Sequence, residues 1–392
     1  MTVGCTAGSD SENVNRLIKG NLHLSSDLKR LMFVKAFVWL TRPSRFINND
    51  ELLFRYKQTV LKYKNSCEWK IEPQTGRTVS GQGIGKKEVA SSEDKIALNH
   101  LVLAQELGFL KREVNTWSNF GFVLASLYCD LNGVLLFTTA SGLERYLATK
   151  GLLAKIEVQE QLLFASSLFE TDFDGTFPLL LMIDDKIDKQ LLKNSYFSKV
   201  ADWYAIKRHM GDDYQTRRDC LLNEARFRRK SHAQGSAAET HREEQILPRL
   251  EFLLDLGLIY RVGTEAGSRY SLSTQGKDVM GFLTHERALV QCLSDPFEMR
   301  SRLVQIFAKG FNDISFSEFK RSFVKVARFY RRCGTVLLSY PDVFLALACD
   351  GLRNRMVLSH ESYETNLSDL ERRGLIAVSR AIPLRSYIRV KE

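Results

Sequence analysis

The sequence predicts a mainly α-helical fold that carries small β-hairpins, and two observations predict it. The first is a short pattern that occurs three times: an amphipathic helical stretch closes on a glycine and runs at once into an apolar strand. The copies span Leu103 to Arg112, Leu253 to Arg261 and Leu370 to Val378. Glycine at that point is free to take the left-handed conformation that ends a helix. The second observation is that apolar residues through most of the remaining chain recur at helical spacing.

Taken in order, residues 1–25 are polar and small and are expected to fray. Leu28, Leu31, Met32, Phe33, Ala36 and Leu40 predict a helix within 26–41, and Leu52, Leu53, Tyr56, Val60 and Leu61 another over 49–63. The stretch 72–92, rich in Gly, Ser and Lys, reads as a loop. A helix over 92–107 follows with Ser92 as its cap, then a strand from Phe109 to Val114 and a helix from Phe120 to Tyr128. The second copy has the same order: a helix to Leu256, strands 258–262 and 269–272, and a helix from Gln275. Thr240 and Glu243 suggest a capping box at its start, with Pro248 inside the helical pattern. In the third copy, helices are expected from Pro341 to about Leu352 and from about Ser362 to Arg373, then a hairpin to the end.

Ser118-x-x-Gly121 and Ser273-x-x-Gly276 align between the first two copies. The offset is 149 at Gly108 and Gly257 and 155 at Gly121 and Gly276, so the six extra residues fall in the second hairpin turn, where an insertion costs little. An internal duplication of about 150 residues follows. Its units are 26–190, with a helix–hairpin core at about 92–128 and a helical trailer 143–185, and 191–311, with a core at about 240–283. A basic helix and the third copy fill 312–392.

The formal charge is +10 over 392 residues, which favours a polyanionic partner. Residues 301–392 alone hold sixteen Lys and Arg against nine Asp and Glu, a net of +7. The seven cysteines form no C-x-x-C pair and read as reduced, buried thiols. The histidines show no ligand spacing, so no metal or other cofactor is expected. No basic region with an apolar core opens the chain and no apolar run reaches membrane length, so a cytoplasmic protein with no membrane contact is expected.

The patches 92–128, 240–283 and 340–391 resemble the winged-helix DNA-binding superfamily. The resemblance implies tandem winged-helix units joined by helical segments, and double-stranded DNA as partner. The layout is similar to that of accessory proteins of bacterial defence and mobile-element systems, which implies further protein subunits in a DNA-processing complex. In the third copy, Tyr363, Leu367 and Leu370 fall on one helix face. Ser362, Thr365, Asn366, Asp369 and Arg373 are assigned to the opposite face, where Ser, Thr and Asn can bond base edges or phosphates. Arg380, Arg385 and Arg389 on the last hairpin suit the DNA backbone or minor groove. Arg261 and Arg269 flank the second hairpin turn.

Two basic helices add phosphate-binding candidates. One is 217–230, with Arg228 and Arg229. The other runs from Lys320 to Arg332, where Arg321, Lys325, Arg328 and Arg332 follow at helical spacing. The loop 80–87 (S-G-Q-G-I-G-K-K) lacks the first glycine and the final hydroxyl of a phosphate loop. Asp174, Asp184 and Lys186 surround an apolar run and could instead hold a metal ion for DNA cleavage. Non-catalytic duplex DNA binding is therefore the expected function. A protein-interaction scaffold and a metal-dependent nuclease are the alternatives.

Overall fold

The computed structural model describes residues 22, 31–43, 45–66, 90–136, 156–183, 187–211, 213–262, 269–379 and 386–391. Among these the chain forms fourteen helices and eight short strands. The N-terminal part comprises α1 (Met32–Leu40), α2 (Asn49–Ser66), α3 (Ala90–Glu106) and α4 (Asn119–Ser126), followed by the long α5 (Val158–Met182). The middle part runs β1 (Ile187–Asp188), α6 (Lys189–Met210), α7 (Tyr214–Ser231), α8 (Ser236–Asp255), β2 (Ile259–Val262), β3 (Arg269–Leu272), α9 (Thr274–Leu283), α10 (Glu286–Ser294) and α11 (Pro296–Phe307). The C-terminal part runs β4 (Asn312–Asp313), α12 (Phe316–Arg332), β5 (Leu337–Ser339), α13 (Tyr340–Arg353), β6 (Met356–Val357), α14 (His360–Arg372), β7 (Ile376–Ser379) and β8 (Tyr387–Val390).

The three marked glycines end their helices in the same way. Gly108, Gly257 and Gly374 have φ of 72°, 69° and 73°. In each, the following residue donates its N–H five residues back, Phe109 to Ala104, Leu258 to Leu253 and Leu375 to Leu370, while the glycine itself donates three back. This double bond at a left-handed glycine is the Schellman closure of a helix. The carbonyl of the residue after the glycine then accepts from the chain leaving the hairpin: Ser118 N at 3.1 Å, Ser273 N at 2.9 Å and Lys391 N at 3.0 Å.

The first two copies share more. The Ser118 hydroxyl donates to the carbonyl of Gly108, and that of Ser273 to Gly257 at 2.6 Å. Gly121 and Gly276 enter the next helix so close to the hairpin that a Cβ would stand 2.1 Å from Phe109 O and 1.9 Å from Leu258 O. The S-x-x-G signature thus has a steric cause in both places.

Each of two sheets gains a third strand from outside its hairpin. β1, two residues just after α5, pairs antiparallel with β3, giving the order β1-β3-β2. β5 pairs with β8 in the same manner, giving β5-β8-β7. In each case a short strand ahead of a helix closes the sheet that a later hairpin opens. The first hairpin is reduced to one bridge, Leu110 to Trp117, rather than the strand expected over 109–114.

Three local expectations also change. α3 begins at Ala90, so Ser92 lies inside it rather than at its cap. α8 begins at Ser236 after Gly235, and the Thr240 hydroxyl bonds back to Ser236 O at 3.0 Å, so no capping box forms there. Pro248 sits buried inside α8, which continues past it.

α5 organises the interior. It carries four acids and no basic residue, and each acid meets a cation from a different element. Glu160 holds Lys35 Nζ of α1 at 2.8 Å, with the Tyr128 hydroxyl as second donor. Glu170 takes Arg300 Nε of α11 at 2.6 Å, and the same guanidinium reaches Asp342 of α13 at 2.9 Å. Asp172, at a kink with φ −136°, accepts Arg249 of α8 through both oxygens at 2.6 and 2.7 Å. Asp174 holds Lys207 Nζ of α6 at 2.7 Å and Trp203 Nε1 at 2.7 Å. Glu160, Asp172 and Asp174 have no exposed surface, and charges so buried persist only when paired and hydrogen-bonded.

Candidate nucleic-acid interface

The predicted contact residues among those described differ in exposure and in partners. On α14, Tyr363, Leu367 and Leu370 are buried as expected, but Asn366 is buried with them. Residues three and four apart share a helix face, so Asn366 lies beside Tyr363 and Leu370 instead of opposite them. Ser362 is half-buried, its hydroxyl accepting from Ser359, the helix cap, at 2.9 Å. Thr365 is exposed. Arg373 is exposed but stacks over the Phe316 ring, 4.5 Å from its centroid. The helix has Glu361, Glu364, Asp369 and Glu371 against a single cation, Arg372.

α12 departs from expectation at one position. Lys325 is buried, and its ammonium lies 2.7 Å from Asp350 of α13, which also accepts the Ser322 hydroxyl. It is a core ion pair, not part of a phosphate-facing row. Arg321 is exposed. Arg328 Nη1 reaches Leu131 O at 3.3 Å, and Arg332 Nε reaches Asn132 O at 2.9 Å. Both therefore brace the turn after α4, where Gly133, at φ 72°, comes so near the α12 backbone that a Cβ would lie 2.4 Å from Phe329 N.

Elsewhere, Arg228 pairs with Glu224 and Asp202, each at 3.2 Å. Arg229 is exposed, with its Nε 3.3 Å from Ala225 O. Arg261 stands 3.9 Å from Glu251, and Arg269 is exposed on β3. Arg380, Arg385, Asp184, Lys186 and the loop 80–87 lie outside the described residues. Asp174, the remaining member of the metal-binding trio, spends both oxygens on Lys207 and one also on Trp203, which accounts for it as a core carboxylate.

What the fold does assemble is a groove between α12 and the sheet β5-β8-β7, with a volume of about 680 Å³. Its floor is apolar and includes Phe323, Val324, Ala327, Leu338, Ile376 and Val390. Lys320, Arg328 and Arg331 of α12, Arg389 of β8 and Lys391 just after it also line it, and among the described residues no acid does. Lys320, Val324, Ala327, Arg328 and Arg331 recur at helical spacing, so one stripe of α12 supplies a whole wall. The opposite stripe, with Phe319, Val326 and Phe329, fills the core.

Sequence reading found Arg328 and Arg389 but missed Lys320, Arg331 and Lys391. The signal was available in α12, which has apolar residues on two faces where one core needs only one. Val336 and Leu375, which line the groove, remain exposed, Val336 at 65%.

Among the described residues no helix is long and apolar enough to cross a membrane. Compared with protein-family models, with curated proteins and with solved structures, the chain matches none.

Proposed function

We propose that the chain is a non-catalytic binding subunit built from repeated winged-helix units, and that its C-terminal unit docks a protein partner rather than reading a DNA major groove. The runs α8–Gly257–β2–β3 and α14–Gly374–β7–β8 follow the helix, glycine, strand, turn, strand order of a winged helix, and a further strand closes each sheet. The observation that carries the docking reading is the charge of α14. As the helix that would enter the groove of DNA, it holds four acids against Arg372, with Arg373 at its C-cap. Carboxylates there would repel phosphates on both sides, whereas DNA-reading surfaces are strongly positive.

A second reading, contact with duplex phosphates without sequence preference, is favoured by one observation. Lys320, Arg331, Arg389 and Lys391 line one groove, and among the described residues no acid lines it with them. A duplex titration distinguishes the two. On the docking reading, binding at physiological salt stays no tighter than about 1 μM, the upper end of non-specific association. Tighter binding that Thr365→Ala and Arg373→Ala abolish would make α14 a DNA reader and overturn it.

A further inference from the structure

We infer that the outer face of α7 docks a protein surface on which carboxylates surround an apolar patch. α7 is no part of the C-terminal unit, and its use does not depend on that unit's. It packs chiefly on α6 and buries Cys220 and Phe227 of its eighteen residues. Helices in proteins owe most of their stability to a packed face. α7 is also held by local means: Asp213 accepts from Thr216 N at 2.7 Å at its start, and Arg228, Arg229 and Lys230 lie in its last turn. Core packing therefore does not account for the residues on its outer side.

That side has a definite pattern. Tyr214, Arg218, Ala225 and Arg229 are exposed and fall on one line along the helix. Leu221 and Leu222 are neighbours in sequence, so they stand about 100° apart around the helix, one on either side of that line. They are 50% and 57% exposed, and Tyr214 is 80% exposed. Arg217 lies one turn from Leu221 and Arg226 one turn from Leu222, both exposed. The two acids of α7 are half-buried. Asp219 accepts from Gln215 at 3.0 Å, and Glu224 is held by Arg208 at 3.0 Å and by Arg228 at 3.2 Å. Arg217 and Arg229 meet the backbone carbonyls of Gly211 and Ala225, and Arg226 the ring of Phe227, contacts that leave their charge uncompensated.

This pattern selects among anionic partners. The backbone of a duplex offers phosphates to the arginines but no apolar counterpart to the leucines. An anionic membrane takes an apolar face with cations opposite it, whereas Arg218 and Arg229 run between the two leucines. A protein surface supplies both kinds of contact. Arg and Tyr are enriched and Lys depleted at such interfaces, and the lysine of α7, Lys230, lies over the Phe197 and Phe227 rings instead. Guanidinium also pairs with carboxylate through two parallel bonds.

Selection of displayed random peptides of about 16 residues, enough for roughly four helical turns, against the intact protein tests this. Enriched peptides are expected to combine Asp or Glu with large apolar residues. Made synthetically, they should bind about tenfold more weakly, or worse, to Arg218→Glu/Arg229→Glu and to Leu221→Ser/Leu222→Ser. All four side chains are exposed, so both variants keep the fold, which circular dichroism checks. Failure to enrich such peptides, or peptides that bind either variant like the parent, would overturn the assignment and leave the reading of the C-terminal unit standing. Duplex DNA binding that the arginine variant alone loses would give the face to phosphates. Binding to phosphatidylserine vesicles that the leucine variant loses would give it to a membrane. Either result overturns the protein partner.

Discussion

Gly276 and Gly281 lie on the same helix, α9, and replacing each by alanine should move stability in opposite directions. Alanine exceeds glycine in a helix interior by about 0.5–1 kcal/mol, because glycine loses more backbone freedom on folding. At Gly281 a new Cβ meets nothing within 4 Å, so Gly281→Ala should gain that amount. At Gly276 the Cβ would stand 1.9 Å from Leu258 O, a carbonyl already held by Ser273 N at 2.9 Å. No flexible side chain can yield there, so the junction of hairpin and helix must open. Overpacking of this kind costs about 1–3 kcal/mol, which leaves a net loss of up to about 2.5 kcal/mol after the propensity gain. The propensity gain is common to both variants, so they should differ by the overpacking cost itself, about 1–3 kcal/mol, read as midpoints in urea at unchanged slope. Gly121→Ala, with its Cβ 2.1 Å from Phe109 O, should behave as Gly276→Ala does. Equal stability of Gly276→Ala and Gly281→Ala would refute the steric account, and opposite signs for Gly121→Ala and Gly276→Ala would refute the equivalence of the two copies.

Three further outcomes are expected. Arg249→Met strands the buried Asp172 carboxylate and should cost about 3–5 kcal/mol in denaturant unfolding, with much of the loss recovered when Asp172→Asn is added. Burial, and then the neighbouring Lys230, hold the His241 imidazole below its ordinary value, with Glu244 acting in the opposite sense. The unfolded chain then binds the extra proton first as pH falls. Stability is full above about 6.5 and declines through the window below it, and His241→Gln should flatten that acid limb in a series of thermal melts. Burial pushes the thiols of Cys129 and Cys333 up to about 11 and that of Cys292 up to about 12. In a Cys5→Ser/Cys67→Ser background, a thiol reagent at about pH 8 should label these three slowly when native and fast in denaturant.

Local rules recovered most helices and all three helix ends, because a left-handed glycine followed by an apolar pair has few other uses. They failed where a distant partner decides. Lys325 reads as one more cation in a basic row, and only Asp350, on the next helix, makes it a core residue. The hint was Asp350 itself, an acid at the end of the apolar run L-A-L-A-C, which requires a partner. Asn366 was misplaced by helix geometry alone, since it lies three residues after Tyr363 and four before Leu370. β1 and β5 are two and three residues long, too short for any periodicity, and are defined by the strands they pair with. The groove was illegible for a related reason: its walls come from segments some sixty residues apart, and its apolar floor looks like core until the space above it is known.

The acids of α5 also determine whether the repeats can be separated. Their counter-charges come from Lys35 on one side in the chain and from Lys207, Arg249 and Arg300 on the other. A cut near residue 190 would leave Lys35 with Glu160 but divide the other three pairs, with the carboxylates of Glu170, Asp172 and Asp174 in one fragment and their cations in the other. The copies are therefore not beads that can be excised, swapped or expressed alone, although the sequence repeats as if they were. A co-expressed pair of fragments split there should reassemble through these charges, while either fragment by itself should aggregate or be degraded.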